Sequence, residues 1–248
     1  MPTLHLLGTG AAVSDPHRTT TMLALAHEAS TIVVDCGGDV IQRLQATGID
    51  PDTITGLIVT HEHPDHVSGF PLFMEKIWLG GRRRPIPVYG IHAAIDQARR
   101  CFETFNTKGW AEMPEIEWNE VPLDEEVTVL EDAVWRVTAT PGDHGVPVIA
   151  LRFEHRETGR SVTYSCDTKP SENVARLARG TDILVHEATG EGPWHSSPEE
   201  AALIAAQAGP RQLLLVHLPP GLTDADLSQA RRTFAETYVG EELGTYPF

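Results

Sequence analysis

The run Leu57-Ile58-Val59-Thr60 gives way at once to His61-Glu62-His63-Pro64-Asp65-His66. The first four residues read as a buried strand. The pattern that follows, Val67 to Leu79 with Phe70, Phe73, Met74 and Ile77 on one face, predicts a helix. The polar segment therefore lies on a strand-to-helix loop. It gathers three imidazoles and a carboxylate, the ligand types that zinc, manganese and iron accept. Such a density of polar groups at the end of an apolar strand is costly unless metal or hydrogen bonds satisfy it.

Working outward, short apolar runs alternate with helical patterns along the whole chain, as in an α/β protein. Leu4 to Leu7, Met22 to Ala26 and Thr31 to Val34 read as strands, followed by a short helix around Val40 to Leu44. Ile86 to Tyr89 is a further strand and Ile91 to Phe105 contains a helix, while Asn106 to Met113 is irregular. Strands dominate from Ile116 to Phe153, with Trp135 to Thr140 and Val148 to Phe153 the clearest, and Ser161 to Ser165 follows a turn at Glu157-Thr158-Gly159. Helices over Glu172 to Ala178 and Pro198 to Ala208 then alternate with strands over Ile183 to Val185 and Leu213 to Val216. Pro198 after Ser196-Ser197 is a helix-start signal. Two successive sheets, each followed by helices, suggest sandwiched sheets with helices outside, although periodicity alone does not separate this from a doubly wound sheet. The chain has no internal repeat, low-complexity tract or linker, so residues 1–248 are expected to form one domain.

An apolar share of 41% and a charged share of 22% are those of a soluble globular protein, and no apolar run is long enough to span a bilayer. The first residues lack the features of a secretory signal, which makes a cytoplasmic location the default expectation. Cys36, Cys101 and Cys166 are odd in number and widely spaced, and are read as reduced. A formal charge of −16 repels polyanions, so a large nucleic-acid footprint would need a local basic patch. The best candidate, Arg82-Arg83-Arg84 preceded by Lys76, reads instead as a solvated loop after Gly80-Gly81.

Three further ligand types end apolar runs: His144 after Thr138-Ala139-Thr140, Asp167 after Val162-Thr163-Tyr164, and His217 after Leu213 to Val216. Together with the first four they complete a two-metal site. His5, His17, His27, His92 and His155 have ordinary readings as surface or core residues, with His17 and His92 the candidates for exceptions because they follow strands.

The His-x-His-x-Asp-His signature at His61 to His66 resembles that of the metallo-β-lactamase superfamily. The closer resemblance is to ribonuclease Z, the tRNA 3′-processing endonuclease, and it runs through nearly the whole chain. It is carried by Leu7-Gly8-Thr9-Gly10-Ala11-Ala12, Asp35-Cys36-Gly37, Ser165-Cys166-Asp167-Thr168, His186-Glu187-Ala188-Thr189 and His195-Ser196-Ser197. This resemblance implies an αββα four-layer sandwich. It also implies that His61, His63 and His144 hold one divalent metal ion, that Asp65, His66 and His217 hold the other, and that Asp167 bridges them. Zinc is the first choice, with manganese or iron compatible with the same mixed ligands. Asp65 would also orient or deprotonate the attacking water, His195 would contact the scissile phosphate and assist the leaving group, and His186 is a further catalytic candidate or, with Glu187, a support for the site.

The chain departs from ribonuclease Z between His144 and Asp167, where the protruding tRNA-gripping arm would be inserted and only strand, turn and strand fit. Cys166 stands where that family usually has glycine and Ser197 where it often has threonine. The short spacing from His186 to His195 brings Trp194 near the site, either as a stacking face for a base or as a buried structural residue. Arm-less relatives include phosphodiesterases that open cyclic nucleotides, some as homodimers in which one subunit completes the neighbour's pocket. The expected activity is therefore hydrolysis of small phosphodiesters, cyclic nucleotides among them, by a homodimer without membrane attachment. The alternatives are a ribonuclease Z-type nuclease acting on RNA 3′ ends, a lactone, thioester, sulfate ester or β-lactam hydrolase of the same fold, and a non-catalytic metal-binding scaffold.

Overall fold

The computed structural model describes residues 1–248. Its first sheet is built from β1 (Thr3–Gly8), β2 (Met22–His27), β3 (Ser30–Val34), β4 (Ile54–Val59), β5 (Ile86–Gly90) and β6 (Ile116–Glu120). The second contains β7 (Val127–Glu131), β8 (Trp135–Pro141), β9 (Ile149–His155), β10 (Ser161–Tyr164), β11 (Ile183–Glu187), β12 (Gln212–Val216) and β13 (Thr237–Val239). A last strand, β14 (Thr245–Pro247), returns to the first sheet beside β1, giving the orders β14-β1-β2-β3-β4-β5-β6 and β13-β12-β11-β10-β9-β8-β7. From β14 and from β7 respectively, each sheet runs through three antiparallel pairings and then three parallel ones. The two halves thus share one architecture without sharing a detectable sequence repeat.

Parallel neighbours need crossover connections, and helices supply them. In the first half these are α1 (Val40–Ala46), α2 (Pro64–Val67), α3 (Phe70–Leu79) and α4 (His92–Glu103). In the second half they are α5 (Glu172–Leu177), α6 (Pro198–Ala208) and α7 (Ala230–Thr233). One core of 47 buried residues draws on the facing sides of both sheets and on α1 to α4, while 17 more lie largely between the second sheet and α5 to α7. The result is the expected αββα sandwich. Helix α6 follows the expected bounds: Ser197 and Glu200 form a reciprocal capping box, Pro198 opens the helix, and Gly209 closes it at φ 71°.

Two expectations need correction. The single helix read over Val67 to Leu79 is two, α2 and α3, broken at Ser68-Gly69. A Cβ at Gly69 would lie 2.4 Å from the Gly38 carbonyl oxygen and 2.5 Å from that of Cys36, so this break packs against the loop after β3. Arg82 is not a solvated loop residue. It is 6% exposed and donates to the carbonyl oxygens of Ile54, Arg84 and Pro85. Arg83 and Arg84 pair with Glu112 and Asp52, so the three arginines form no free basic patch. The short strands β13 and β14 had no clear sequence signal.

All three cysteines are free. No helix is long and apolar enough to cross a membrane.

Candidate metal centre

Ligands in open α/β sheets bind beyond the carboxyl ends of the parallel strands, and there the loops after β4, β10, β11 and β12 meet the β8–β9 loop. His61, His63, Asp65 and His66 follow β4, His144 lies between β8 and β9, Asp167 follows β10 and His217 follows β12. Asp35, Cys166 and His217 adopt left-handed φ values of 61°, 52° and 52° at the exits of β3, β10 and β12. Backbone strain of this kind collects where a fold aims side chains into a site.

The seven expected ligands converge. His63 Nδ1 lies 3.1 Å from His61 Nε2 and 3.3 Å from His144 Nε2, and one ligand atom from each of these histidines and from Asp167 falls within a 4.8 Å group. Asp65, His66 and His217 form a second such group, with Asp65 Oδ2 3.2 Å from His217 Nε2 and 3.5 Å from His66 Nε2. Asp167 stands between them. Its Oδ2 is 3.3 Å from His217 Nε2 and 3.9 Å from His61 Nε2, and its Oδ1 is 3.5 Å from His66 Nε2.

The far side of four of the five rings is tied down, as metal-binding imidazoles require. His66 Nδ1 meets Asp35 Oδ2 at 2.8 Å, His217 Nδ1 meets Thr189 Oγ1 at 2.6 Å, and His144 Nδ1 donates to the Trp194 carbonyl oxygen at 2.8 Å. His61 Nδ1 lies 3.2 Å from Thr60 Oγ1 and 3.6 Å from Cys166 Sγ. Burial pushes the Cys166 thiol well above its ordinary range, and its Sγ donates to Thr60 Oγ1 at 2.9 Å.

The donor set fits divalent metal ions on two grounds. His66 Nε2 and Asp167 Oδ1 are buried with no hydrogen-bond partner, an arrangement that is unfavourable unless a cation completes it. The charges agree. Burial alone would lower the pKa of His66, yet Asp167 and Asp35 hold it well above the ordinary value. Likewise burial would raise Asp167, yet His217, His66 and His61 hold it well below. The buried carboxylates therefore demand positive charge at this point, and a metal cation supplies it in place of a proton.

His195 enters the same face. Its ring lies 5.1 Å from that of His144 and 5.6 Å from that of His217 between centroids, and its Nδ1 donates to Glu187 Oε1 at 2.9 Å. That bond to Glu187, only partly opposed by burial, raises the pKa of His195. His186 is elsewhere. It is fully buried, its Nδ1 donates to the Glu187 carbonyl oxygen, and strand alternation puts it with Leu184 on the helix-facing side of β11, opposite Glu187. Of the pair read from sequence, Glu187 supports the site and His186 does not reach it. Trp194 is 48% exposed rather than buried and packs across Gly145.

Residues 30–218 match the β-lactamase superfamily domain family. The chain belongs to this superfamily. Its members of metallo-β-lactamase fold hold divalent metal ions, in keeping with the histidine and aspartate groups above. A protein named ribonuclease Z from Methanothermobacter thermautotrophicus is 28% identical over 296 aligned positions, which cover 96% of this chain and 94% of that one. The alignment is longer than this chain's 248 residues, so that relative carries segments this superfamily member lacks. Among solved structures, the short form of human tRNase Z superposes with a TM-score of 0.81 at 22% identity, covering 99% of this chain and 100% of that one. A diphosphatase of the PhnP family superposes at 0.78 and 20% identity, covering 100% and 98%.

Asp35, Thr60 and Thr189 were not singled out from the sequence as supports, although Asp35 directly follows an apolar strand as the ligands do. Glu242 was also missed. From 233 residues away it accepts the backbone N–H of Thr9 and, with its other oxygen, that of Thr19, and it pairs with Arg43, so it pins the loop after β1.

Proposed function

We propose that the chain is a dinuclear metal-dependent phosphodiesterase acting on small phosphodiesters, cyclic nucleotides among them. The observation that carries this reading is His195, held by buried Glu187 beside a seven-ligand metal set. In the proposed assignment His61, His63 and His144 hold one ion and Asp65, His66 and His217 the other, with Asp167 shared and zinc as the preferred metal. When bound, two such ions acidify a water and neutralise charge on the phosphoryl oxygens.

The chain's own residues do the rest. Asp65 turns Oδ2 toward His66 and His217, which leaves Oδ1 to orient the attacking water and take its proton. His195, whose Nδ1–H is committed to Glu187, delivers a proton from Nε2 to the departing oxygen.

Substrate size is argued from what surrounds the site. Between β9 and β10 the chain makes only the turn of residues 156–160, so no arm extends there. With a formal charge of −16 and the arginines of residues 82–84 already engaged, grip on a folded RNA has little electrostatic support. A small phosphodiester needs only the centre and the exposed ring of Trp194, on which a base can stack. The 28% identical relative over 96% of the chain favours the second reading, cleavage at RNA 3′ ends. The test is a panel of metal-loaded protein with cyclic nucleotides, an aryl phosphodiester and a precursor tRNA, with products identified. Turnover of cyclic nucleotides is expected. Efficient tRNA cleavage with inert cyclic nucleotides reverses the order, and lactone or β-lactam turnover without phosphodiester turnover overturns both.

A further inference from the structure

The foot of the sandwich, away from His61, holds another group of metal-binding side chains. His27 closes β2, His155 closes β9 and Glu157 follows in the turn to β10. The two imidazoles come from different sheets and meet edge to face, with centroids 4.3 Å apart at 62°. One ligand atom from each of the three residues lies within 4.8 Å of the others. Both strands run the depth of the sandwich, so at about 3.3 Å per residue this group is roughly 20 Å from the centre described above.

Each member is set up for a ligand. His27 Nδ1 is buried without a hydrogen-bond partner. His155 is 2% exposed, sits against Trp135 at 5.5 Å between centroids, and has Nδ1 2.9 Å from Thr158 Oγ1. The Thr158 N–H also meets this nitrogen, at 3.4 Å, so the turn after β9 holds the ring from its Nδ1 side. The exposed Glu157 opens on a cavity of about 720 Å³. Arg160 and Arg211 line the same cavity and share Asp182 at 2.7 and 3.2 Å, and no ion pair joins either to Glu157.

We propose that His27, His155 and Glu157 bind a further divalent transition-metal ion that ties β2 of the first sheet to β9 of the second. Two imidazoles and one carboxylate select zinc, nickel or copper over calcium and magnesium, and water from the cavity fills the open positions. The site does not depend on the proposed catalytic function.

The test is calorimetric titration of metal-stripped protein with Zn²⁺, with bound metal counted after dialysis, in wild type, Glu157→Gln and His27→Asn. Each variant is expected to take up one ion fewer than wild type, with phosphodiester turnover unchanged. Glu157 is exposed, so its variant reports even if His27→Asn fails to fold. A companion variant, His63→Ala with His144→Ala, weakens only the upper site. It should still show a Zn²⁺-dependent rise in Tm, and adding Glu157→Gln should make that rise smaller. Equal ion counts in wild type and Glu157→Gln overturn the proposal whatever is found for catalysis.

Discussion

Glu187 Oε1 stands 2.9 Å from His195 Nδ1, and the same oxygen accepts the backbone N–H of Thr168 at 3.0 Å and of Ser196 at 3.3 Å. Its second oxygen accepts the N–H of Thr189. One buried carboxylate thus aims His195 and also fixes the loops that carry Asp167 and that brace His217. The proposed proton donor and part of the candidate ligand set are positioned by a single side chain.

Replacing Glu187 with Gln keeps the shape but removes the charge that holds His195 and sets an N–H against at least one of the four donors. His195 loses its orientation and its raised pKa, while the seven metal ligands keep their side chains. The expected result is a fall in kcat of about 10²–10⁴ with bound metal retained, read from steady-state kinetics on an aryl phosphodiester and from metal counting. Undiminished kcat would remove His195 from the proposed mechanism.

Gly37 faces the backbone of Asp65, and a Cβ there would fall 1.7 Å from the Asp65 carbonyl oxygen. Gly37→Ala must displace the loop that carries four of the ligands. Misplacement of a reacting group by about 1 Å costs on the order of 10²-fold in rate, so turnover should drop at least that far. Metal content measured alongside should fall too, and a variant with wild-type turnover and metal would show that this contact does not hold the site.

Stripping the metal should lower stability as well as activity. His66 Nε2 and Asp167 Oδ1 are buried without partners in the protein alone, so the folded chain binds a divalent ion far better than the unfolded one. Free ion at a hundredfold excess over Kd adds about 2.7 kcal/mol, which thermal unfolding with and without chelator will register. A Tm indifferent to Zn²⁺ and chelator argues against a structured metal centre.

The seven candidate ligands were legible because four crowd the loop after β4 and His144, Asp167 and His217 follow apolar strands, a pattern that needs no tertiary contacts, while their grouping into one set came from the resemblance to ribonuclease Z. Their supports were not. Asp35 and Thr189 acquire roles only when separate strands align, and Glu242 acts across more than two hundred residues. The helix from Val67 was read as continuous because the apolar periodicity runs through Ser68-Gly69, whereas the close approach of Cys36 and Gly38 interrupts it. His186 looked equivalent to its neighbours until the pleat turned it to the far face. His27 and His155 looked ordinary because nothing in the sequence says that the ends of β2 and β9 meet.

Asp182 links stability to pH. Burial would raise its pKa, but the Ser161 N–H and the guanidinium groups of Arg160 and Arg211 hold it below 3.8. A depressed carboxylate contributes stability above its unfolded pKa and loses it as pH falls through the folded value, so the effect belongs to the window below about pH 4. Asp182→Asn should cost about 1–2 kcal/mol near neutral pH, with the gap to wild type closing toward pH 3. Denaturant titrations across that range provide the measurement, and a gap independent of pH would assign the loss to packing instead.

Cys166 combines full burial with a φ of 52°. The left-handed conformation costs a side-chain-bearing residue about 1–2 kcal/mol, and the resemblance to ribonuclease Z places glycine here. Cys166→Gly removes that strain. It also removes a buried Sγ that donates to Thr60 Oγ1 at 2.9 Å, and it adds about 0.5–1 kcal/mol of unfolded-state entropy. These effects oppose one another, so the net change should stay within about 1 kcal/mol. Cys166→Val has no compensation, because branching at Cβ worsens the left-handed strain and pushes a methyl toward Thr60 and His61. It should lose more than about 2 kcal/mol and bind metal less tightly, since Thr60 Oγ1 braces His61 Nδ1. Denaturant unfolding and metal affinity of the two variants separate strain from packing: equal losses in both would show that the thiol's contacts, and not the backbone, govern this position.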